Sequence, residues 1–236
     1  AVLGLPDIVV LTLTEFADQA YRICRASNLP LMVDADHGYG NALNVRRTVE
    51  ELETAGIAGL TIEDTELPQA FGTVGSTRLI SLEEGISKMR AALDARQDSN
   101  LVIIGRTGAP QITDIGDAVR RIKAYEAAGV DAVFISGVKT RDQLNALCEA
   151  VSLPVMLGGS GSGPAGRETL GSMGVRVSLQ GHYPFMAAVQ ATYETLKALR
   201  AGTAPDDITG TASGDTMKHL TRDADFKRMM KDFLSD

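Results

Sequence analysis

Leu31-Met-Val-Asp34-Ala-Asp36-His37-Gly-Tyr-Gly-Asn41 is an apolar run that ends in two aspartates and breaks at once into a glycine-flanked turn. In an extended strand alternate side chains share a face, so Asp34 and Asp36 project together at the strand's carboxyl end. Two like charges held side by side in apolar surroundings are costly unless a cation neutralises them. Glycines on both sides of Tyr39 permit the sharp turn. Taken alone, the stretch also reads as a solvated, Asp-rich loop. Two further runs decide between the readings. Gly59-Leu-Thr-Ile-Glu63-Asp64 likewise ends in acids, and Leu101-Val-Ile-Ile-Gly-Arg106 ends in a cation. Three successive apolar strands with charged carboxyl ends describe one metal and anion site.

Strands and helices alternate outward from this point. Apolar runs at Leu31–Val33, Gly59–Ile62, Leu101–Ile104, Ala132–Ile135, Pro154–Leu157 and Val175–Leu179 predict strands. Thr12-x-x-Glu15, Ser81-x-x-Glu84 and Thr140-x-x-Gln143 have the form of capping boxes that open helices. Val45, Val49 and Leu52 fall on one face of the helix after the aspartates, as do Leu82, Ile86, Met89 and Leu93 in the next. Ala55-Gly56 and Ala128-Gly129 mark helix ends. The segments Glu53–Ile62 and Glu126–Ile135 echo each other as helix end, glycine cap and buried strand. Such alternation predicts a parallel sheet covered by helices. A closed (β/α)8 barrel needs eight strands. Six leave either an open doubly wound sheet or a TIM-type barrel whose first two strands are not in this chain.

Composition bounds the function. The chain has 236 residues, 44% of them hydrophobic, enough for one α/β domain core. A net charge of −7 and a pI near 5.0 weigh against nucleic-acid and anionic-membrane partners. No apolar run approaches a membrane span and no signal-peptide pattern precedes the first helix. Cys24 and Cys148 lack metal-type spacing and read as small buried thiols, which points to the cytoplasm. Residues 1–200 form the barrel domain in this reading, and 201–236 form a linker and an amphipathic helix. That helix sets Phe226, Met229, Met230 and Phe233 on one face, to pack on its own domain or on a neighbouring subunit.

The string from Val33 to Asn41 (VDADHGYGN), with the following helix and the Thr61-Ile-Glu63-Asp64 strand end, resembles the phosphoenolpyruvate mutase/isocitrate lyase superfamily. Within it, His37, the pair Gly181-His182 and the segment Ala187–Leu196 look most like the oxaloacetate decarboxylase group. The resemblance spans nearly the whole chain. It implies a (β/α)8 barrel lacking its first two strands here, and Mg2+ at the carboxyl end, with Mn2+ as the alternative ion. It also implies a homodimer or homotetramer in which a C-terminal helix is exchanged between subunits. Carried over, Asp36 matches the direct metal ligand, with Asp34 and Glu63 near the ion largely through water. Arg106 matches a carboxylate-binding arginine and His182 a substrate-contacting histidine.

The implied activity is Mg2+-dependent decarboxylation of oxaloacetate, or a related β-carboxylated α-keto acid, to pyruvate and CO2 through a metal-bound enolate. Three departures qualify the activity: the first weighs against a cleavage that needs a cysteine acid, and the other two bear on the substrate. Phe71–Arg78 lacks the cysteine of the lyases, Leu157–Gly163 replaces a tyrosine expected of the decarboxylases, and Gly108 replaces an Asn or Asp. The alternatives are a carbon–carbon or carbon–phosphorus lyase or hydrolase (2-methylisocitrate lyase-like, phosphonopyruvate hydrolase-like or phosphoenolpyruvate mutase-like), or a non-catalytic barrel relic. Bland roles compete at individual residues. Arg106 could pair structurally with Glu63, Asp64 could be a solvated strand end, His37 could stabilise the turn, and His219 reads as solvated.

Overall fold

The computed structural model describes residues 2–73, 75–158 and 166–235. Six strands form one sheet: β1 (Met32–Asp34), β2 (Gly59–Glu63), β3 (Val102–Thr107), β4 (Ala132–Ser136), β5 (Val155–Gly158) and β6 (Val175–Ser178). Every neighbouring pair is parallel and the order is β1-β2-β3-β4-β5-β6. A doubly wound sheet reverses its strand order at a switch point. This sheet never reverses, so it is the wall of a TIM-type barrel, with six strands among the described residues.

Helices fill the crossovers: α1 (Leu13–Ala26) precedes β1, then α2 (Ala42–Thr54), α3 (Leu82–Ala95), the short α4 (Ala109–Ile112), α5 (Ile115–Ala128), α6 (Arg141–Cys148) and α7 (Arg167–Ser172) follow in turn. Thr12 and Thr140 form the expected capping boxes. Ser81 caps α3 with its hydroxyl alone, and Asn41 closes an unforeseen box with Asn44. Gly129 ends α5 in the left-handed conformation, at φ 102°.

Val45, Val49 and Leu52 of α2 are fully buried, as their spacing requires. In α3 the expected stripe is turned. Met89 is buried, but its companions are Gly85, Lys88, Ala92 and Ala95, while Leu82, Ile86 and Leu93 are only half-buried. The cause is close packing on α5: a Cβ at Gly85 would lie 2.6 Å from the Tyr125 hydroxyl. Three of the five buried positions, Gly85, Ala92 and Ala95, are accordingly small. Cys24 and Cys148 are half-buried rather than buried, and both are free thiols.

The sheet's two faces differ. Ile103, Val133, Ile135 and Val155 join the large core under the helices, whereas Ile104, Phe134 and Met156 form a separate small cluster on the inner face. Strand alternation then carries the inner face to Asp34, Thr61, Glu63 and Arg106 at the carboxyl ends.

The chain falls into two compact units, residues 1–181 and 182–236. The second holds α8 (Tyr183–Arg200), a 3-10 turn at Pro205–Asp207, α9 (Gly214–Leu220) and α10 (Asp223–Leu234). None of these helices has a buried residue; Phe226, Met230 and Phe233 are exposed and Met229 is half-buried.

Candidate active site at the carboxyl ends of the strands

Parallel pairing places the charged residues in register. Asp34 stands opposite Thr61, Glu63 opposite Arg106, and Arg106 opposite Phe134. Arg106 bridges two acids: its Nη1 donates to Asp34 Oδ2, and its Nε lies 3.1 Å from Glu63 Oε2. The guanidinium also rests 4.9 Å from the Phe134 ring centroid, which restricts its plane. Thr61 Oγ1 donates to Asp34 Oδ1 at 2.8 Å. The structural Arg106–Glu63 pair foreseen as a competing reading is thus present, with Asp34 as a third member.

Asp36 lies beyond the strand, which ends at Asp34. It still joins Asp34, because the chain turns left-handed at φ 49° and its N–H donates to Asp34 Oδ1 at 3.2 Å. Strand alternation alone does not account for the pairing; the turn does. Burial, followed by the charge of Asp34, pushes the Asp36 carboxyl up to about 6. Burial likewise pushes Glu63 up to about 7, against the pull of Arg106 and with Asp34 and Asp36 adding to the rise. For Arg106, burial is outweighed by Asp34 and Glu63, and the guanidinium holds its proton more tightly.

Among the described residues no group of three His, Cys, Asp or Glu side chains is placed to cage a metal ion. The donor set nevertheless suits a hard divalent cation that keeps most of its water. Two carboxylates, Asp34 and Glu63, pair with one guanidinium, Asp36 stands next to Asp34 with its carboxyl raised by burial and by that neighbour, and every donor is oxygen. Mg2+ is bound in this manner, by one or two carboxylates with water and substrate oxygens completing the octahedron.

Behind the site lies a polar cluster that pattern reading missed. Asp64 is 0% exposed; Tyr125 Oη donates to its Oδ2 at 2.6 Å and Arg121 Nη1 at 3.1 Å. Arg121 also donates to Asp117 Oδ2 at 2.9 Å and to the Ile80 carbonyl at 3.1 Å. Asp64 is therefore not a solvated strand end. Asp117, Arg121 and Tyr125 recur every four residues along α5, a signal that identifies one helix face but not its partner 57 residues upstream.

His37 is buried, and its ring stacks on Tyr39 at 6.1 Å. Burial, reinforced by the nearby Lys88 charge, lowers its imidazole to about 4. Its Nδ1 is buried without a hydrogen-bond partner among the described residues. His182 begins α8 as its N-cap and His219 lies exposed in α9, both in the second unit. Gly159–Gly163, most of the segment that replaces the expected tyrosine, lie outside the described residues, as does Val74 in the loop without a cysteine.

The same architecture and motifs occur in known proteins. The family model for phosphoenolpyruvate phosphomutase matches residues 1–200. The chain is 55% identical over 234 residues to an oxaloacetate decarboxylase of Bradyrhizobium sp. (strain ORS 278), covering 99% of this chain and 81% of that protein. It superposes on a phosphoenolpyruvate phosphomutase from Streptomyces platensis subsp. rosaceus with a TM-score of 0.87 and 30% identity, over 99% of this chain and 84% of that one. Phosphonopyruvate hydrolase, crystallised with oxalate and Mg2+, gives a TM-score of 0.86 at 28% identity, over 99% and 83% of the two chains. By its strand order, its acidic strand ends and these matches, the chain belongs to the phosphoenolpyruvate phosphomutase family.

Proposed function

We propose that this chain is a carboxy-lyase that decarboxylates oxaloacetate to pyruvate and CO2, with Mg2+ held by Asp36 directly and by Asp34 and Glu63 through water. The observation that carries the reading is one arginine paired with two carboxylates at the strand ends, with Asp36 in the turn that follows, in a chain 55% identical to an oxaloacetate decarboxylase. Oxaloacetate presents a keto oxygen and a carboxylate that can share one cation, plus a second carboxylate that must leave as CO2. When the bond between the methylene carbon and the departing carboxylate breaks, its electron pair moves onto the keto oxygen. A bound divalent cation supplies stabilisation for the charge that grows there.

The chain's own residues do the rest. Arg106 holds a substrate carboxylate through two parallel N–H donors, which fixes the orientation of the breaking bond. The Phe134 ring beneath it keeps that fork from rotating. Thr61 anchors Asp34, and the Glu63 N–H, donating to the Asp36 carbonyl at 2.7 Å, ties the two acidic strand ends together. His182 is assigned to substrate contact and to returning a proton to the product carbon. No covalent nucleophile is required.

Pyruvate formation from oxaloacetate with Mg2+, corrected for spontaneous and metal-only decay, should exceed background, and oxalate should inhibit it. Arg106→Ala should lower the rate roughly 100-fold through lost orientation, and His182→Ala by about 100-fold or more. Faster turnover of phosphonopyruvate or 2-methylisocitrate than of oxaloacetate would move the chain to a neighbouring chemistry. Oxalate binding without any turnover would mark it as a relic.

The C-terminal unit supports assembly as a homodimer or homotetramer. Tyr183, Met186, Tyr193 and Leu196 of α8 are exposed, as are Phe226 and Phe233 of α10, more apolar surface than a monomer usually leaves in water. Deletion of 216–236 should shift the mass in light scattering towards smaller species. An unchanged mass with unchanged solubility would remove α9 and α10 from assembly. No helix among the described residues is long and apolar enough to cross a membrane. The free thiols fit a reducing compartment such as the cytoplasm.

A further inference from the structure

Lys88 lies in the buried stripe of α3 and is 3% exposed. Among the described residues its ammonium forms no ion pair, and burial lowers its pKa. Glu84, Asp64 and Glu63 are near enough to favour its charge but do not pair with it, and a buried charge without a direct partner is costly to keep. Its hydrogen bond among the described residues is to a backbone atom: Nζ donates to the His37 carbonyl at 3.0 Å. That carbonyl is the middle one of three in succession, each held by a different element. The Asp36 carbonyl accepts from the Glu63 N–H of β2 at 2.7 Å, and the Gly38 carbonyl from Thr48 Oγ1 of α2 at 3.1 Å. Asp36 itself sits at φ 49°, a conformation that residues other than glycine hold only when their surroundings over-determine it. The bond from α3 is the one that carries a full charge, and charge-assisted bonds are roughly twice as strong as neutral ones.

We propose that Lys88 is a positioning residue of the metal site: its ammonium locks the Asp36–Gly38 turn in the left-handed conformation that aims the Asp36 carboxylate. The inference rests on the reading of Asp36 as the metal ligand, and its test has one arm that needs no metal. In chelator-treated protein, Lys88→Met should speed amide hydrogen exchange across Ala35–Gly40 roughly 10- to 100-fold, as expected when one charge-assisted bond is lost. Exchange in β3 and β4 should stay unchanged. Lys88→Arg, which keeps charge and donors, should restore much of the protection. Calorimetric Mg2+ affinity of Lys88→Met should fall by roughly 10- to 100-fold, the usual cost of losing support behind a metal ligand.

Unchanged exchange in the turn would overturn the proposal. So would equal acceleration throughout the sheet, which is plain loss of stability, or a loosened turn with unaltered Mg2+ affinity. If the unsubstituted chain shows no Mg2+ heat, the metal reading fails instead, and the exchange comparison still decides whether Lys88 holds the turn. Should Lys88→Met not fold, Lys88→Gln, a neutral donor, carries the same comparisons.

Discussion

Asp36→Ala should abolish metal-dependent pyruvate formation while leaving the chain folded. The two effects separate because Asp36 contributes almost nothing to the core. It lies outside β1 and is only half-buried, and burial and the Asp34 charge push its carboxyl up to about 6, so its charge does not favour the fold. Removing that carboxylate relieves repulsion with Asp34. Against this, alanine tolerates the left-handed φ less well than aspartate, a cost of about 1–2 kcal/mol. The melting temperature in chelator should therefore change only modestly. Asp36→Asn, which suits the same backbone, is the cleaner control for the ligand's charge. Both variants should lose the Mg2+ binding heat. Asp34→Asn should weaken it only roughly 10- to 100-fold, since Asp34 is already engaged by Arg106 and Thr61. Undiminished Mg2+ binding by Asp36→Ala would remove this residue from the metal site and return the Asp34–Asp36 stretch to the status of an acidic loop.

The front of the site was legible because its residues end strands. Asp34, Glu63 and Arg106 each close an apolar run, and parallel pairing with little stagger brings such ends together whatever the details of packing. The apolar runs by themselves left the strand order open, although the resemblance implied the barrel that the sheet bears out. Six apolar runs suit a barrel wall and a doubly wound sheet equally, and only the sequential pairing from β1 to β6 separates them. The support behind the site was hidden for a different reason. Lys88 and Arg121 are charged helix residues, and a charge on a helix reads as solvent-facing unless its partner is known. Those partners, the His37 carbonyl and Asp64, lie 51 and 57 residues upstream. The rotation of α3 had the same origin: Gly85 faces inward because the Tyr125 hydroxyl needs the space on its way to Asp64.

These features share one strand end. Glu63 turns to the inner face and meets Arg106, while Asp64 turns outward and meets Arg121 and Tyr125. The backbone between them is also engaged, for the Asp64 carbonyl accepts from the Ile80 N–H at 2.9 Å and the Ile80 carbonyl accepts from Arg121. The loop leaving β2 is thus pinned at both ends by one ion pair behind the site. The inner face can then hold carboxylates that repel one another, because the outer face fixes where they stand.

Arg121→Met should accordingly be the most destabilising single substitution proposed for this chain. It leaves Asp64 buried without its cation, and breaking a buried pair from one side costs about 3–5 kcal/mol. Asp117 loses a partner too, and Arg121 is among the groups that hold its carboxyl below the ordinary range. The pH dependence follows from Asp64. Burial raises its pKa in the fold, while the Tyr125 hydrogen bond and the Arg121 charge oppose that rise. Without Arg121 the folded pKa climbs further above the unfolded value. A carboxyl shifted upward favours the fold when protonated and disfavours it as pH rises through its folded pKa. The deficit of Arg121→Met should therefore be smallest near pH 4 and grow towards pH 7. Urea melts across that range would measure it, and Arg121→Met/Asp64→Asn should recover part of the loss at pH 7, because the uncompensated charge is gone. A deficit below about 1 kcal/mol at pH 7, the scale of an exposed pair, would show that Asp64 is satisfied without Arg121. The pinning of the β2 end would then rest on Tyr125 and the backbone alone.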